Sequence, residues 1–319
     1  MSRLAVLRRL VADLTGVSAR LERIERRLDD LALLQVRALL ARRGEAAYGD
    51  LHAAEFKVFS QFGEDGILQH LVATVGVPPA ARSFVEFGVE DYTEANTRLL
   101  LVKDNWRGLV IDGVATHVER IRCDPVSWLH NLTAVHAFVD RDNVDELIRG
   151  AGFTGEIGVL SIDVDGNDYW IWERLEAVAP LIVVIEYNAV FGPDCAVTVP
   201  YRPDFERSKA HWSHLYWGAS LGALCLLADR KGYAFVGCTT AGNDAFFVRR
   251  DRLGTLRSLK AAEGYVESRF RDSRDPQGRL SYVGGADRRG TPRRPADPRP
   301  GYRRYGATPG GAASSMSRP

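Results

Sequence analysis

Short runs of aliphatic and β-branched residues recur through the middle of the chain, and each run ends in polar residues or a turn. They cover residues 84–86, 109–112, 134–139, 157–162 and 181–185. Runs that are apolar throughout and too short for helices are typical of strands buried on both faces of a parallel sheet. The pattern therefore predicts five parallel strands separated by helical segments.

The pattern changes after residue 220. An apolar helix is predicted over residues 221–231, followed by strands at 233–236 and 244–248 that a turn containing Gly242 connects. Strand–helix alternation that ends in such a pair is typical of an α/β fold. We expect a doubly wound, Rossmann-like, mostly parallel sheet with an antiparallel last strand.

A different periodicity marks the start of the chain. Apolar residues there alternate spacings of three and four, which is the a/d seam of a coiled coil. They are Leu7, Leu10, Leu14, Val17, Leu21, Ile24, Leu28 and Leu31. Residues 1–44 are therefore predicted to form a coiled-coil helical arm that makes the protein a homo-oligomer. An amphipathic helix that packs on its own domain is the alternative.

The rest of the chain divides into a domain over residues 45–283 and a tail over residues 284–319. The tail is rich in Gly, Pro, Arg and Ser and contains no Leu, Ile, Val or Phe. Such a segment buries too little apolar surface to offset the entropy of ordering, so a disordered tail is predicted.

Composition narrows the function only by exclusion. The net charge of +1 over 319 residues predicts no specific nucleic-acid partner. The four cysteines lack the spacing of a zinc site, and no apolar run reaches the roughly 18 residues of a membrane span. Charges interrupt the first apolar residues, unlike a secretory signal. A cytoplasmic protein without a membrane span is expected.

Three predicted strands of the first half each lead into an acidic residue, namely Glu86, Asp112 and Asp140. In open α/β sheets ligands bind beyond the carboxyl ends of the strands, where an acid can accept hydrogen bonds from ribose hydroxyls. Gly88 follows the first strand, and Thr93 is predicted to open a helix whose N–H groups face the ligand. This half of the sheet therefore predicts an adenosine-binding site.

Oxygen-rich side chains also follow the fourth and fifth strands, and they are Asp163, Asp165, Asn167, Asp168, Glu186 and Asn188. Such ligands suit a hard divalent cation or a hydroxyl-rich substrate. Aromatic, basic and imidazole side chains between residues 199 and 217 suggest a carbohydrate-facing lid. His211 and His214 are the first candidates for a general base, and Asp168 is the next. Each histidine also fits a purely structural role.

Five motifs are distinctive, and they are Ser60-Gln-Phe-Gly-Glu-Asp-Gly66, Val85-Glu-Phe-Gly88, Trp106-Arg-Gly-Leu-Val-Ile-Asp112, Ser161-Ile-Asp-Val-Asp-Gly-Asn-Asp168 and Ile185-Glu-Tyr-Asn188. Over about residues 55–250 they resemble the FkbM-type branch of class I S-adenosylmethionine-dependent methyltransferases. The resemblance implies a seven-stranded sheet with an antiparallel last pair and S-adenosyl-L-methionine as the cofactor. It also implies methylation of a hydroxyl on a small-molecule or glycan acceptor, such as a sugar or a natural product.

The same resemblance implies a role for individual residues. Glu86 and Gly88 belong to the loop at the methionine end of the cofactor, Asp112 holds the ribose, and Asp140 lies near the adenine. Asp163 lies beside the methyl group and is also a candidate catalytic residue. The full predicted cofactor-binding set is Gln61, Glu86, Gly88, Asn96, Asp112, Asp140 and Asp163. The cofactor loop departs from the family pattern, because Glu90-Asp-Tyr92 stands where further glycines are usual.

Asp163, Glu186 and Asn188 further resemble the metal triad of catechol-type O-methyltransferases. A Mg²⁺ ion there would hold substrate hydroxyls and lower the pKa of one of them. In the alternative, these side chains cap helices or bind the substrate without metal.

Two other functions remain open at this stage. Asp163 and Asp165 form a DxD triplet, which is the metal site of many glycosyltransferases that use nucleotide sugars. The predicted cofactor loop contains few glycines, and residues 1–44 carry a heptad seam. Both features also fit a non-catalytic, oligomeric binding module.

Overall fold

A computed structural model describes residues 3–43, 50–284, 287–288 and 303–305 of the chain. The chain divides into two units, residues 1–47 and residues 48–319. The first unit contains one 41-residue helix, α1 (Arg3–Arg43). The seam side chains that the structure describes are each 52–59% exposed, and they are Val17, Leu21, Ile24, Leu28 and Leu31. The predicted seam side chains of Leu7, Leu10 and Leu14 lie outside the described residues.

None of the helices within these described ranges has both the length and the apolar character that crossing a membrane requires.

The second unit is built on a seven-stranded sheet. The strands of the chain are β1 (Ser83–Phe87), β2 (Arg107–Asp112), β3 (Leu132–His136), β4 (Gly155–Ile162), β5 (Val178–Glu186), β6 (Val197–Thr198), β7 (Tyr233–Cys238), β8 (Asp244–Arg249) and β9 (Arg303–Arg304). The sheet order is β3-β2-β1-β4-β5-β8-β7. The first five of these strands pair in parallel, whereas β8 is antiparallel to both of its neighbours. The predicted Rossmann-like fold is therefore confirmed.

Helices cover both faces of this sheet. They are α2 (Glu64–Val75), α3 (Arg98–Asp104), α4 (Ala115–Cys123), α5 (Val126–Leu129), α6 (Val144–Gly150), α7 (Asp168–Arg174), α8 (Arg207–Ala210), α9 (Leu221–Arg230) and α10 (Ala261–Gly264). Successive residues of a strand point to opposite faces of the sheet. In β5, Val183 lies in the core cluster that contains Trp172 and Leu224, and Ile182 lies in the cluster that contains Leu71. Two buried faces explain why the strands are apolar throughout rather than alternating.

The structure corrects the predicted start of the helix after β1. The helix was predicted to open at Thr93, but α3 begins at Arg98. The preceding residues instead form turns, because the Glu86 carboxylate accepts hydrogen bonds from the backbone N–H groups of Asn96 and Thr97. These bonds hold the loop across the end of β1.

Part of the segment that was predicted to be disordered lies against the domain. β9 pairs with β6 in an antiparallel ladder, and the Tyr305 N–H donates to the Ala196 carbonyl at 2.9 Å. The Tyr305 ring also contacts Tyr169, with ring centroids 5.2 Å apart. For these residues the structure differs from the prediction, whereas most of residues 284–319 lie outside the described part of the chain.

Gly88 joins the loop after β1 to the end of β4. Its φ is +72°, and an added Cβ would lie 1.6 Å from the Asp163 carbonyl oxygen. Gly88→Ala should therefore lower the free energy of unfolding by about 2–5 kcal/mol, through left-handed strain and overpacking against backbone. Urea denaturation of the whole chain measures this loss.

Gly76 offers a matched control, because its φ is +64° and no atom lies within 4 Å of an added Cβ. Gly76→Ala should cost only the conformational strain, about 1–2 kcal/mol. Equal losses in the two variants would show that the loop and β4 separate easily, and the close approach at Gly88 would then not limit the fold.

Candidate functional site

A crevice opens beyond the carboxyl ends of β4 and β5, where the fold predicts ligand binding. It forms a cavity of about 310 Å³. Side chains from five segments of the chain line its carboxylate-rich part, and they are Gln61, Glu90, Asp163, Asp165, Glu186 and Arg207. The structure therefore brings two predicted cofactor residues, Gln61 and Asp163, into one cavity with predicted reaction residues.

Three carboxylates meet at the base of this crevice. Asp163, Asp165 and Glu186 each offer an oxygen atom, and these atoms all lie within 4.8 Å of one another. Asp165 reaches the group from a left-handed backbone conformation, with φ of +56°, which aspartate tolerates better than most residues. Glu186 Oε2 is buried and has no hydrogen-bond partner among the described residues. The three side chains could hold a cation.

The closeness of the three carboxylates changes their protonation. The Asp163 side chain is exposed in the cavity. Partial loss of solvent, together with the charges of Asp165 and Asp168, raises its pKa to about 8. Burial and the neighbouring Asp163 also raise the pKa of Glu186 well above its usual value. Oxygen atoms of Asp163 and Glu186 lie within 4.8 Å of each other, and the raised pKa of each carboxyl favours one proton on the pair at neutral pH. The pair can therefore accept a proton near neutral pH.

Arg207 neutralises the third carboxylate. Its Nη1 donates to Asp165 Oδ1 at 2.8 Å, and its Nε donates to the His214 carbonyl at 2.9 Å. The guanidinium also stacks on the Trp217 ring, 4.8 Å from the ring centroid. The region predicted to form a lid thus contributes Arg207 and Trp217 to the cavity, whereas its histidines serve other contacts.

His211 and His214 do not line the cavity. His211 is buried, and its Nδ1 lies 2.5 Å from Ser213 Oγ. His214 has φ of +57° and uses its carbonyl to hold Arg207. Both positions support the turn that carries Arg207.

Asp168 and Asn188 hold loops next to the cavity. The two Asp168 oxygens accept from the N–H groups of Val164 and Gly166 at 2.8 and 2.9 Å, and burial raises the pKa of Asp168 to about 6. Asn188 lines the cavity, but its amide donates to the carbonyls of Leu215 and Trp217. Asp165, rather than Asn188, is the third member of the carboxylate group.

The predicted cofactor residues on β1 form a buried network. Glu86 accepts hydrogen bonds from the N–H groups of Asn96 and Thr97, from the Thr97 hydroxyl and from the Ser161 hydroxyl. The Asn96 amide in turn donates to Ser161 Oγ at 3.2 Å. This network holds the loop after β1 in place. Neither Glu86 nor Asn96 lines the cavity.

Asp112 and Asp140 also hold backbone groups. Asp112 accepts from the N–H groups of Glu90 and Val114 at 2.9 and 2.8 Å, and it lies 3.2 Å from His117 Nδ1. Asp140 lies beyond the end of β3, where its Oδ1 accepts from the N–H groups that follow it. A carboxylate has about four acceptor positions, so Asp112 keeps capacity for further donors such as hydroxyls.

The loop after β1 contains left-handed backbone conformations of the kind that glycine adopts, although the residues concerned carry side chains. Glu90 and Tyr92 have φ of +48° and +64°. The Tyr92 side chain is fully buried, and its hydroxyl lies 3.0 Å from Thr97 Oγ1. Burial of this ring provides the stabilisation that offsets the left-handed backbone. The loop therefore keeps left-handed backbone conformations that glycine adopts most readily.

Sequence reasoning missed a second pair of buried acids. Asp244, at the start of β8, is influenced by the charge of Glu64 at the start of α2, and burial together with that charge raises the pKa of Asp244 well above the usual value. Asp163 adds to this effect through its charge. The two residues lie far apart in the sequence, so only the antiparallel insertion of β8 beside β5 brings them together.

No protein-family model matches this chain, and no curated protein matches it. Among solved structures, an O-methyltransferase from Bacillus cereus in complex with SAH is 16% identical, with 68% of this chain and 87% of that chain covered and a TM-score of 0.39. The methyltransferase domain of bacterial CtHen1 is 15% identical, with coverages of 57% and 97% and a TM-score of 0.35. Mitomycin 7-O-methyltransferase is 14% identical, with coverages of 57% and 53% and a TM-score of 0.33.

The shared proton predicts how stability depends on pH. Because the pKa of Asp163 and of Glu186 is raised in the folded state, the folded chain binds more protons than the unfolded chain between about pH 4 and 8. The free energy of unfolding should therefore fall as pH rises through this range. Glu186→Gln removes one of the two coupled groups and should flatten this fall, as measured by urea denaturation at several pH values.

Glu156→Gln is the matched control, because Glu156 forms a surface ion pair with Arg249 at 2.8 Å. Its pH profile should stay parallel to that of the wild type. A Glu186→Gln profile that also stays parallel would contradict the shared proton.

Proposed function

We propose that this chain is an S-adenosylmethionine-dependent methyltransferase of the FkbM type that methylates a hydroxyl of a sugar or natural-product acceptor. The observation that carries the proposal is the excess of carboxylates over cations at the base of the crevice. Asp163, Glu186 and Glu90 face the cavity, while Arg207 is already paired with Asp165. Such a site favours a ligand with positive charge next to a group that must lose a proton.

The proposed cofactor matches this electrostatic pattern. Its sulfonium and ammonium groups are cationic, and a cation beside Asp163 would lower the raised pKa of that carboxyl. Glu90, which lines the same cavity, comes from the loop that the resemblance assigns to the methionine end, and Gln61, also in the lining, belongs to the predicted cofactor-binding set. Asp112, at the end of β2, would accept from the ribose hydroxyls through its remaining lone pairs.

The residues of the chain would then perform general-base catalysis. When bound, the cofactor supplies an electrophilic methyl group next to Asp163. The Asp163–Glu186 pair would take the proton of the acceptor hydroxyl, since the raised pKa of each carboxyl makes it a better base than an exposed acid. Trp217 would position the acceptor by stacking, and the crevice walls would limit water.

We further propose that a divalent cation such as Mg²⁺ binds between Asp163, Asp165 and Glu186. Oxygen ligands at this spacing suit a hard cation, and Glu186 Oε2 lacks any other partner among the described residues. A bound cation would displace the shared proton and would lower the pKa of the acceptor hydroxyl in place of general-base catalysis by the pair, so millimolar Mg²⁺ should flatten the pH dependence of stability described above. Unchanged profiles with and without Mg²⁺ would leave these carboxylates as direct substrate contacts.

Binding of S-adenosylhomocysteine tests the main proposal. Calorimetry with the full chain should detect it, and Asp112→Ala should weaken it at least tenfold, since each charge-assisted hydrogen bond to the ribose contributes about 1.5–3 kcal/mol. Asp229→Ala, on the exposed surface of α9, is the control and should bind as the wild type does.

The outcome separates the candidate functions. Because Asp112 also holds the cofactor loop, circular dichroism must show an intact fold in Asp112→Ala. Unchanged affinity in that variant would rule out the ribose contact. Binding of UDP in place of S-adenosylhomocysteine would favour the metal-dependent glycosyltransferase, and binding of neither would favour a non-catalytic module.

We also propose that α1 assembles the protein into a homo-oligomer. Its described seam is more than half exposed, and burial of such a seam against a second copy is what stabilises a coiled coil. Ile24→Asp should convert the oligomer into a monomer in light scattering, because it places a charge at a d position. Glu25→Gln, one residue away, should leave the oligomer intact. A monomeric wild-type chain would contradict this proposal.

A further inference from the structure

One cationic side chain in the crevice lacks the partners that buried charges normally have. Arg288 lines the cavity and is only 8% exposed. Its Nε has no hydrogen-bond partner, and its guanidinium makes no ion pair, within the part of the chain that the structure describes. A buried, unpaired charge costs several kcal/mol unless a ligand or a counter-ion compensates it.

The charge of Arg207 acts on both the carboxylates and Arg288. Arg207 contacts Asp165 directly and is influenced by the charge of Glu186. Burial lowers the pKa of Arg288, and the charge of Arg207 lowers it further, whereas Tyr265, Glu267 and Asp272 act in the opposite direction. Two guanidinium groups that repel each other thus line the same cavity as the carboxylates.

The acids that act on Arg288 form no ion pair with it within the described residues. Asp272 is the cavity-lining acid among them, and one of its oxygens, Oδ1, is itself buried without a hydrogen-bond partner in the described ranges. Arg274 Nε approaches that oxygen at 3.8 Å. Asp272 therefore does not close a salt bridge with Arg288, and the Arg288 Nε–H group stays available to a ligand.

We propose that Arg207 and Arg288 form an anion subsite, and that the acceptor carries a carboxylate or phosphate group in addition to the hydroxyl that reacts. The substrate class rests on the proposed methyltransferase function, whereas the subsite itself does not. A planar guanidinium binds either anion through paired N–H donors. The Trp217 ring, on which Arg207 stacks, gives the ligand an apolar wall between the anion and the carboxylate base.

Simple probes test the subsite directly. Inorganic phosphate, glucuronate and neutral glucose are titrated into the ¹⁵N-labelled full chain, and the Nε–H signal of Arg288 is identified by its loss in Arg288→Gln. Phosphate or glucuronate should shift this signal and bind at least about tenfold more tightly than glucose, since one charge-assisted hydrogen bond supplies that factor. Whichever anion binds more tightly identifies the group that the acceptor carries.

Arg288→Gln should weaken binding of the anions at least about tenfold. Arg250→Gln is the matched control, because Arg250 forms a surface ion pair with Asp229 at 2.6 Å and does not line the cavity; it should bind the anions as the wild type does. Equal binding of glucose and both anions, or equal binding by Arg288→Gln and wild type, would overturn the subsite.

Affinity for S-adenosylhomocysteine, measured on the same samples, keeps the two proposals apart. It should be unchanged in Arg288→Gln, because Arg288 is not among the predicted cofactor-binding residues. A wild-type chain that binds anions through Arg288 but not S-adenosylhomocysteine would retain the subsite and lose the methyltransferase. The reverse result would retain the methyltransferase and show that its acceptor has no anionic group.

Discussion

Repulsion among carboxylates at the carboxyl edge of the sheet is the constraint on which the crevice depends. Parallel strands bring their carboxyl ends to the same edge, so the acids that follow β4 and β5 are forced together. Asp163 and Glu186 relieve part of this repulsion by sharing a proton, and Arg207 neutralises Asp165. What remains is a site that favours a cation and can accept a proton.

A second group of acids makes that arrangement possible by holding the loops in place. The Asp65 carboxylate accepts three backbone N–H groups, from Val58, Phe59 and Ser60, at 2.7–2.8 Å. Asp168 does the same for the turn after β4. Hydrogen bonds to backbone N–H groups partly compensate the cost of burying these charges. The acids of the motifs therefore have two distinct roles, since some shape loops and others face the cavity.

Close backbone packing connects the two halves of the site. Gly88 follows β1, on the predicted cofactor side, and it lies against the carbonyl of Asp163 on the reaction side. The same loop carries Glu90 into the cavity. This close approach leaves no room between the loop and the end of β4, so the position of one restricts the position of the other.

The sequence by itself determined the sheet and much of the chemistry at its edge. Apolar runs buried on two faces predicted the strands, and the acids after them predicted where Asp163 and Glu186 would meet, because both signals are local and repeat along the chain. Which acids face the cavity was decided only by tertiary structure. Asn188 turned towards backbone carbonyls and Asp165 took its place.

The partners that come from distant segments were likewise invisible in the sequence. Glu64 meets Asp244 only because β8 inserts next to β5. Arg288 reaches the crevice from a segment whose composition predicted disorder, since composition reports average burial and not a single side chain that finds a pocket. Long-range contacts of this kind depend on how the chain folds back on itself, and no local pattern of residues encodes them.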